Sequence, residues 1–303
     1  MSEAATRGFA TLTLVGAAFG FSTITIFTAL LGGAGIPLLT AMAGRYVFAS
    51  LVLIPAAGGF AAMRLPRRRQ LELAGIGGMG QAVIAFLSLS ALEFIPAATL
   101  VFLFYTFPVF VALRAAWLGT ERLTGTRIFS LALSFAGIGV MVGWPGAGGL
   151  HPLGALLALS GAIVYALFIP LIDQLRTGVS AVVSTACVSI GAMTIFLLAG
   201  LVANQLVLPS TVLPWTWLVG LGTLSTAVAF TLFLRGLQVV GPVQTAIVTT
   251  AEPFFVSAMG ALFLGQPIEL RTIVGGSLIA IAVLNLQRPI TSERQPTGEP
   301  SHR

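Results

Sequence analysis

A chain of 303 residues that is 57% hydrophobic, with 35 glycines and only 8% charged residues, has too little polar surface to cover itself in water, so a soluble globule is excluded and lipid is its solvent. Its formal net charge of +6 comes with fifteen basic residues, all Arg, that lie mostly between apolar stretches; no basic stripe carries interleaved aromatics, which excludes nucleic acid as a partner. The lone Cys187 excludes an internal disulfide, and His151 and His302 make no metal site by themselves, so no metal or other cofactor is expected.

Apolar runs long enough to cross the ~30 Å hydrocarbon core, about 20 residues each, follow one another along the chain. In the first half they cover residues 8–31, 37–60, 71–91, 96–117 and 127–143. In the second half they cover 152–172, 180–203, 215–235, 242–263 and 271–287. The first run is longer than the apolar core of a signal peptide and passes into the second without a cleavage motif, so it is read as mature structure. The predicted fold is an all-α polytopic membrane protein with ten transmembrane helices.

Arginine placement orients these spans. With the N-terminus in the cytoplasm, twelve arginines face inward: Arg7, Arg64, Arg67, Arg68, Arg69, Arg122, Arg127, Arg176, Arg235, Arg288, Arg294 and Arg303. Only Arg271 falls in an outer loop, while Arg45 and Arg114 lie within spans. The bias assigns both termini to the cytoplasm.

The two halves repeat one another. Adding 145 to a position carries Leu92 to Leu237, Pro108 to Pro253, Phe110 to Phe255, Val111 to Val256, Ala116 to Ala261 and Ile128 to Ile273. An odd number of spans per half requires the second copy to be inserted upside down, which predicts two inverted five-helix repeats, 1–147 and 148–288. Residues 289–303, rich in Pro, Ser, Thr and charge, are expected to form a disordered cytoplasmic tail. Duplicated apolar units with a proline inside a membrane helix are a common build of solute carriers, whose site lies between the halves.

Several motifs recur in order across both halves. They are Gly16-Ala-Ala-Phe-Gly20, Gly44-Arg45-Tyr46, Thr106-Phe-Pro-Val-Phe-Val111 and Leu118-Gly-Thr-Glu-Arg-Leu123, then Leu157-Ala-Leu-Ser-Gly-Ala162, Ala251-Glu-Pro-Phe-Phe-Val256 and Leu264-Gly-Gln-Pro267. Together they resemble the EamA-type transporters of the drug/metabolite transporter superfamily, over nearly the whole chain. Within that superfamily the overall look is most similar to bacterial amino-acid exporters. Phe19 stands where that family often has Trp, and Gln266 where an acid is usual. The resemblance implies ten spans in two inverted repeats, residence in the bacterial cytoplasmic membrane, and outward transport of small metabolites.

Glu252 is the most informative single residue, since a carboxylate midway along a span is costly by some 2.5 kcal/mol or more unless it meets protein or water. Pro253 beside it removes a backbone donor and frees the Thr249 carbonyl, and Thr245, Thr249 and Glu252 follow an i, i+4, i+7 spacing. Pro108 does the same for Phe104, near Phe102, Tyr105, Thr106 and Thr99. Further candidate solute contacts are Gln81 and Ser88, Ser22 and Thr25, Tyr165, Thr223, Thr226 and Phe230. Arg45 either meets a carboxylate bidentately or ties helices together, and with Pro108 and Pro253 it is read as a structural or gating residue. The alternative for Glu252 is a purely architectural hydrogen bond at the kink.

The glycine patterns Gly16-x-x-x-Gly20 and Gly77-Gly78-Met-Gly80 fit close helix packing, and without a following Gly-Lys-Ser they make no phosphate cradle. The spans supply neither a nucleophile with a base nor a paired acid, so no enzyme is expected. The expected partners are a small-molecule solute and the bilayer, with the chain as a monomer or weak homodimer. The sequence reading is therefore a secondary transporter working by alternating access, its cavity lined mainly by spans 1, 3, 4, 6, 8 and 9, with spans 5 and 10 peripheral. It would carry neutral or zwitterionic, partly apolar metabolites, amino acids above all. Its rivals are a proton-coupled drug or quaternary-amine exporter and a non-transporting structural membrane protein.

Overall fold

The computed structural model describes residues 3–61, 63, 65–91, 93–95, 97–121, 123–143, 151–265 and 267–286. The tail 289–303, the boundary between the two predicted repeats, and Arg64, Arg122, Gln266, Arg288, Arg294 and Arg303 lie outside the described residues. Within them all regular structure is helical: α1 (Glu3–Gly33), α2 (Leu38–Ala56), α3 (Arg67–Leu71), α4 (Gly78–Ala91), α5 (Ala97–Phe104), α6 (Phe107–Trp117), α7 (Gly125–Val142), α8 (Pro152–Leu175), α9 (Ala181–Val202), α10 (Val212–Gly222), α11 (Ala229–Thr249), α12 (Glu252–Leu264) and α13 (Leu270–Asn285). A π-helical turn, Glu72–Gly77, joins α3 to α4, and another, Thr223–Val228, joins α10 to α11.

Among the described residues eight helical runs are long and apolar enough to cross a bilayer, and two shorter apolar helices, Glu252–Leu264 and Leu270–Asn285, accompany them. The longest run, Val212–Thr249, is not one straight helix. At Gly241 the backbone turns to φ 80° and ψ 172°, a conformation open to glycine without strain, and Pro242 then starts the helix afresh. Sequence patterning left residues 236–241 as a link between two spans, whereas helix continues up to a single non-helical residue.

Two further breaks matter for the site. Between α5 and α6, at Tyr105 and Thr106, and between α11 and α12, at Thr250 and Ala251, regular α-helical bonding is interrupted, while Thr106, Thr250 and Ala251 keep right-handed helical dihedrals. The tighter Thr106 N–H to Leu103 carbonyl bond (3.2 Å) and the Thr250 N–H to Ile247 carbonyl bond (3.1 Å) fill the gaps. Pro108 and Pro253 therefore stand in the first turns of α6 and α12, where a missing N–H removes no helical bond. This corrects the expectation of prolines inside continuous kinked helices. The joint separates Thr245 and Thr249, at the end of α11, from Glu252, the first residue of α12.

Packing has an internal correspondence. Helix α1 rests on α11 and α12, as α8 rests on α4, α5 and α6; α2 pairs with α9, and α7 with α13. The apolar centre is continuous, with Leu14, Phe107, Ile138, Ile169, Phe233, Leu234, Leu237 and Ile247 fully buried. Gly191 of α9 backs directly on the Ala74 carbonyl in the first π turn, so close that any Cβ there would overlap it. Helices α7 and α13 meet where Gly137 faces Gly275.

Candidate functional site

A cavity of about 170 Å³ opens beside the second π turn and both helix breaks, reached by Thr226, Phe104 and Glu252. Its walls come from α1, α2, α4, α5, α8, α9, the second π turn, α11 and α12, and none from α7 or α13. A larger void of about 990 Å³ runs between α4 and α8, but its walls include the outward-facing Leu71, Ile76 and Met79, and its charged residues are only Arg68 and Glu72 at one end. The convergent polar chemistry lies in the smaller cavity.

On one side stands Arg45 of α2, only 9% exposed. Its Nε donates to Thr226 Oγ1 at 2.6 Å, and its guanidinium carbon lies 5.0 Å from the centroid of the Tyr46 ring. Tyr46 stacks on Phe196 of α9 with centroids 5.7 Å apart, and its hydroxyl donates to Gln81 Oε1 at 3.4 Å. These contacts hold the Arg45 cation and the Gln81 amide in the cavity wall, with Tyr46 touching both.

Glu252 supplies the carboxylate. It is the first residue of α12, where unpaired backbone N–H groups and the helix dipole favour an anion. The Tyr105 hydroxyl is turned toward this carboxylate, and Arg45 acts on it through space. No ion pair closes between Arg45 and Glu252 among the described residues, so each keeps hydrogen-bonding capacity for something else. Aromatic rings complete the walls: Phe104 stacks on Tyr165 at 5.6 Å, Tyr165 meets Phe107 edge-on at 4.6 Å, and Phe230 stacks between Phe168 and Phe233 at 6.5 and 5.8 Å. The remaining lining is aliphatic or aromatic, including Phe21, Ile24, Ile84 and Val188.

The sequence candidates separate clearly. Gln81, Tyr165, Thr226, Phe230, Glu252 and Arg45 line the cavity. Tyr105 is buried behind it, against Phe104 and Phe107. Thr106 spends its hydroxyl on the Leu103 carbonyl, and Phe102 packs on Phe135 of α7, away from the cavity. Thr249 bonds back to the Thr245 and Ala246 carbonyls, and Thr245 is fully buried with an unpartnered hydroxyl. Neither threonine lines the cavity.

Comparison with known proteins supplies the class. The description "EamA-like transporter family" matches residues 8–143 and again 152–286. The chain belongs to the EamA-like transporter family. An uncharacterized transporter of Archaeoglobus fulgidus is 26% identical over 219 residues, covering 68% of this chain and 74% of that protein. A solved crystal structure superposes with a TM-score of 0.78 at 22% identity, covering 92% of this chain and 96% of the other, which supports the fold. This EamA-like protein is thus a multi-pass membrane transporter whose family unit occurs twice in the chain.

Some lining residues of the EamA-like cavity were absent from the sequence candidates, notably Tyr46, Phe104, Phe21 and Val188. Tyr46 had a signal, since it follows Arg45 in the Gly44-Arg45-Tyr46 motif. The others are apolar residues in helices apolar on every side, where hydropathy carries no phase. Helices α2 and α9, left out of the expected lining, enter it because α2 carries the cation and α9 packs directly behind α2 and α4.

Proposed function

We propose that this EamA-like transporter is a secondary carrier of small neutral or zwitterionic metabolites with a partly apolar body, amino acids with large side chains first among them. Ten spans arranged as two inverted five-helix repeats, 1–147 and 148–288, hold one central cavity that opens alternately to each side. The restart at Gly241 supports the count, because it divides the Val212–Thr249 run into two legs. The π turns and the breaks, each occurring once per half, support the duplication.

One observation carries the substrate reading: a guanidinium and a carboxylate share a small aromatic-walled cavity without pairing to each other. A zwitterion satisfies both charges, its ammonium toward Glu252 and its carboxylate toward Arg45, while an apolar side chain lies on Phe230 and Tyr165. A phosphorylated or strongly anionic solute would leave Glu252 opposed to like charge. Both termini face the cytoplasm, the membrane is the bacterial inner membrane, and the family resemblance favours outward transport. The chain acts as a monomer or weak homodimer.

Counterflow from proteoliposomes against amino acids, polyamines, lipophilic cations and sugars tests this reading. Exchange of apolar and aromatic amino acids is expected. Exchange confined to lipophilic cations would move the assignment to a drug or quaternary-amine exporter, for which the Glu252 carboxylate in the cavity speaks, and no exchange of any solute would leave a structural membrane protein.

A further inference from the structure

Thr226 lies in the second π turn and is 2% exposed. Its hydroxyl makes two bonds of opposite sense. It donates to the Leu221 carbonyl at 3.1 Å and accepts from Arg45 Nε at 2.6 Å. The donor side fixes the acceptor side, because a threonine hydroxyl has one hydrogen, and giving it to Leu221 leaves only lone pairs to face the guanidinium. The partner carbonyl is five residues back, the spacing of a π turn; in an unbroken α-helix the hydroxyl would fall to a carbonyl three or four residues back and point elsewhere. The helical irregularity and the arginine contact therefore belong together.

The consequence falls on the far end of Arg45. A planar guanidinium can take a carboxylate side-on, through Nε and one Nη, or end-on, through both Nη groups. With Nε held by Thr226 the side-on mode is closed. Neither Nη1 nor Nη2 makes a hydrogen bond with another described residue, and Arg45 lines the cavity. No ion pair with Glu252 competes for them.

We propose that Thr226 is a positioning residue that holds Arg45 as an end-on receptor for one carboxylate, so that a free carboxylate is an obligatory part of the transported molecule. The proposal rests on the carrier reading above and narrows it. It separates amino acids from amines and lipophilic cations that would use Glu252 alone, and it assigns the choice to a residue that acts through Arg45.

The test is counterflow by the full-length protein in proteoliposomes with phenylalanine, phenylalanine methyl ester and phenylalaninamide as probes. Wild type is expected to exchange phenylalanine with a half-saturation concentration about tenfold or more below that of the two derivatives. Thr226→Val and the smaller Thr226→Ala are expected to raise the value for phenylalanine by about tenfold more than they raise the values for the derivatives. Thr226→Ser, which preserves the hydroxyl, restores the wild-type preference, and Arg45→Lys, which keeps charge but lacks the fork, does not. Equal handling of phenylalanine and its ester by wild type overturns the proposal and leaves the carrier reading intact. So does a change in Thr226→Ala that falls equally on all three probes, or a failure of Thr226→Ser to restore the preference. Absence of any amino-acid exchange by wild type overturns both.

Discussion

The carboxylate of Glu121 and the backbone of Val243, 122 residues apart, meet at one end of the bundle: Oε1 accepts the Val243 N–H at 3.3 Å while Oε2 is held by Arg127 Nη1 at 2.8 Å. Val243 offers the first N–H of the helix restarted by Pro242, so an acid from one half caps a helix of the other. Gly241 allows the approach, since a Cβ there would stand 3.2 Å from Glu121 Oε1. Glu121→Ala is expected to remove about 1–2 kcal/mol of stability, the loss typical of a helix cap, and to lower the melting temperature in detergent. Glu121→Gln retains an acceptor but loses the charge, and should fall between the two. Indistinguishable melts of all three would show that this contact holds nothing together.

A second expectation concerns the crossing of α9 over the first π turn. Gly191→Ala puts a methyl group into the Ala74 carbonyl, a backbone atom that cannot rotate away. Overpacking of this sort costs typically 1–3 kcal/mol and sometimes more. Gly75→Ala lies one residue along the same π turn, where an added Cβ meets nothing within 4 Å. The first variant should melt lower and lose monodispersity on size exclusion, and the second should match wild type. Equal behaviour of the two would contradict the close approach.

Phe230 governs the size of the apolar wall. Its ring sits between those of Phe168 and Phe233, so truncation opens space on the cavity side while the rings behind remain. Phe230→Ala should weaken binding of medium-sized apolar amino acids and shift preference toward the bulkiest, by about tenfold in relative half-saturation, or roughly 1.4 kcal/mol. Competition of a side-chain series in counterflow reads this directly. An unchanged rank order would remove Phe230 from the side-chain pocket.

How far the chain discloses this arrangement depends on which physical signal each feature leaves. Arg45 and Glu252 stand out because a charge in an apolar span is expensive wherever it faces lipid, so both had to point inward. Gln81, Tyr165, Thr226 and Phe230 were legible as polar or aromatic positions on otherwise aliphatic runs. Thr245 and Thr249 share the i, i+4, i+7 spacing with Glu252, yet they end α11 while Glu252 begins α12, and of the three only Glu252 lines the cavity. Phe102 carries the same aromatic signal as Phe230, but its ring packs on Phe135 of α7. The π turns leave no mark in hydropathy, because one extra residue in a helix apolar all round changes no pattern. The family unit and its duplication, by contrast, were carried by motif order and by the prolines at 108 and 253.

Glu252→Gln keeps the side chain's shape and removes its charge, and so separates the two readings of the carboxylate. For a zwitterion carrier the ammonium loses its counter-charge, and amino-acid exchange without any gradient should fall about tenfold or more. For a proton-coupled exporter the same variant should retain exchange but lose response to a pH gradient. Four measurements decide: wild type and variant, each with and without the gradient, in sealed liposomes. We expect a fall in the variant under both conditions, because the carboxylate at the start of α12 lines the cavity and forms no ion pair among the described residues. Full exchange by the variant together with a gradient response confined to wild type would transfer Glu252 from substrate binding to proton coupling, and equal uptake under all four conditions would strip it of both roles.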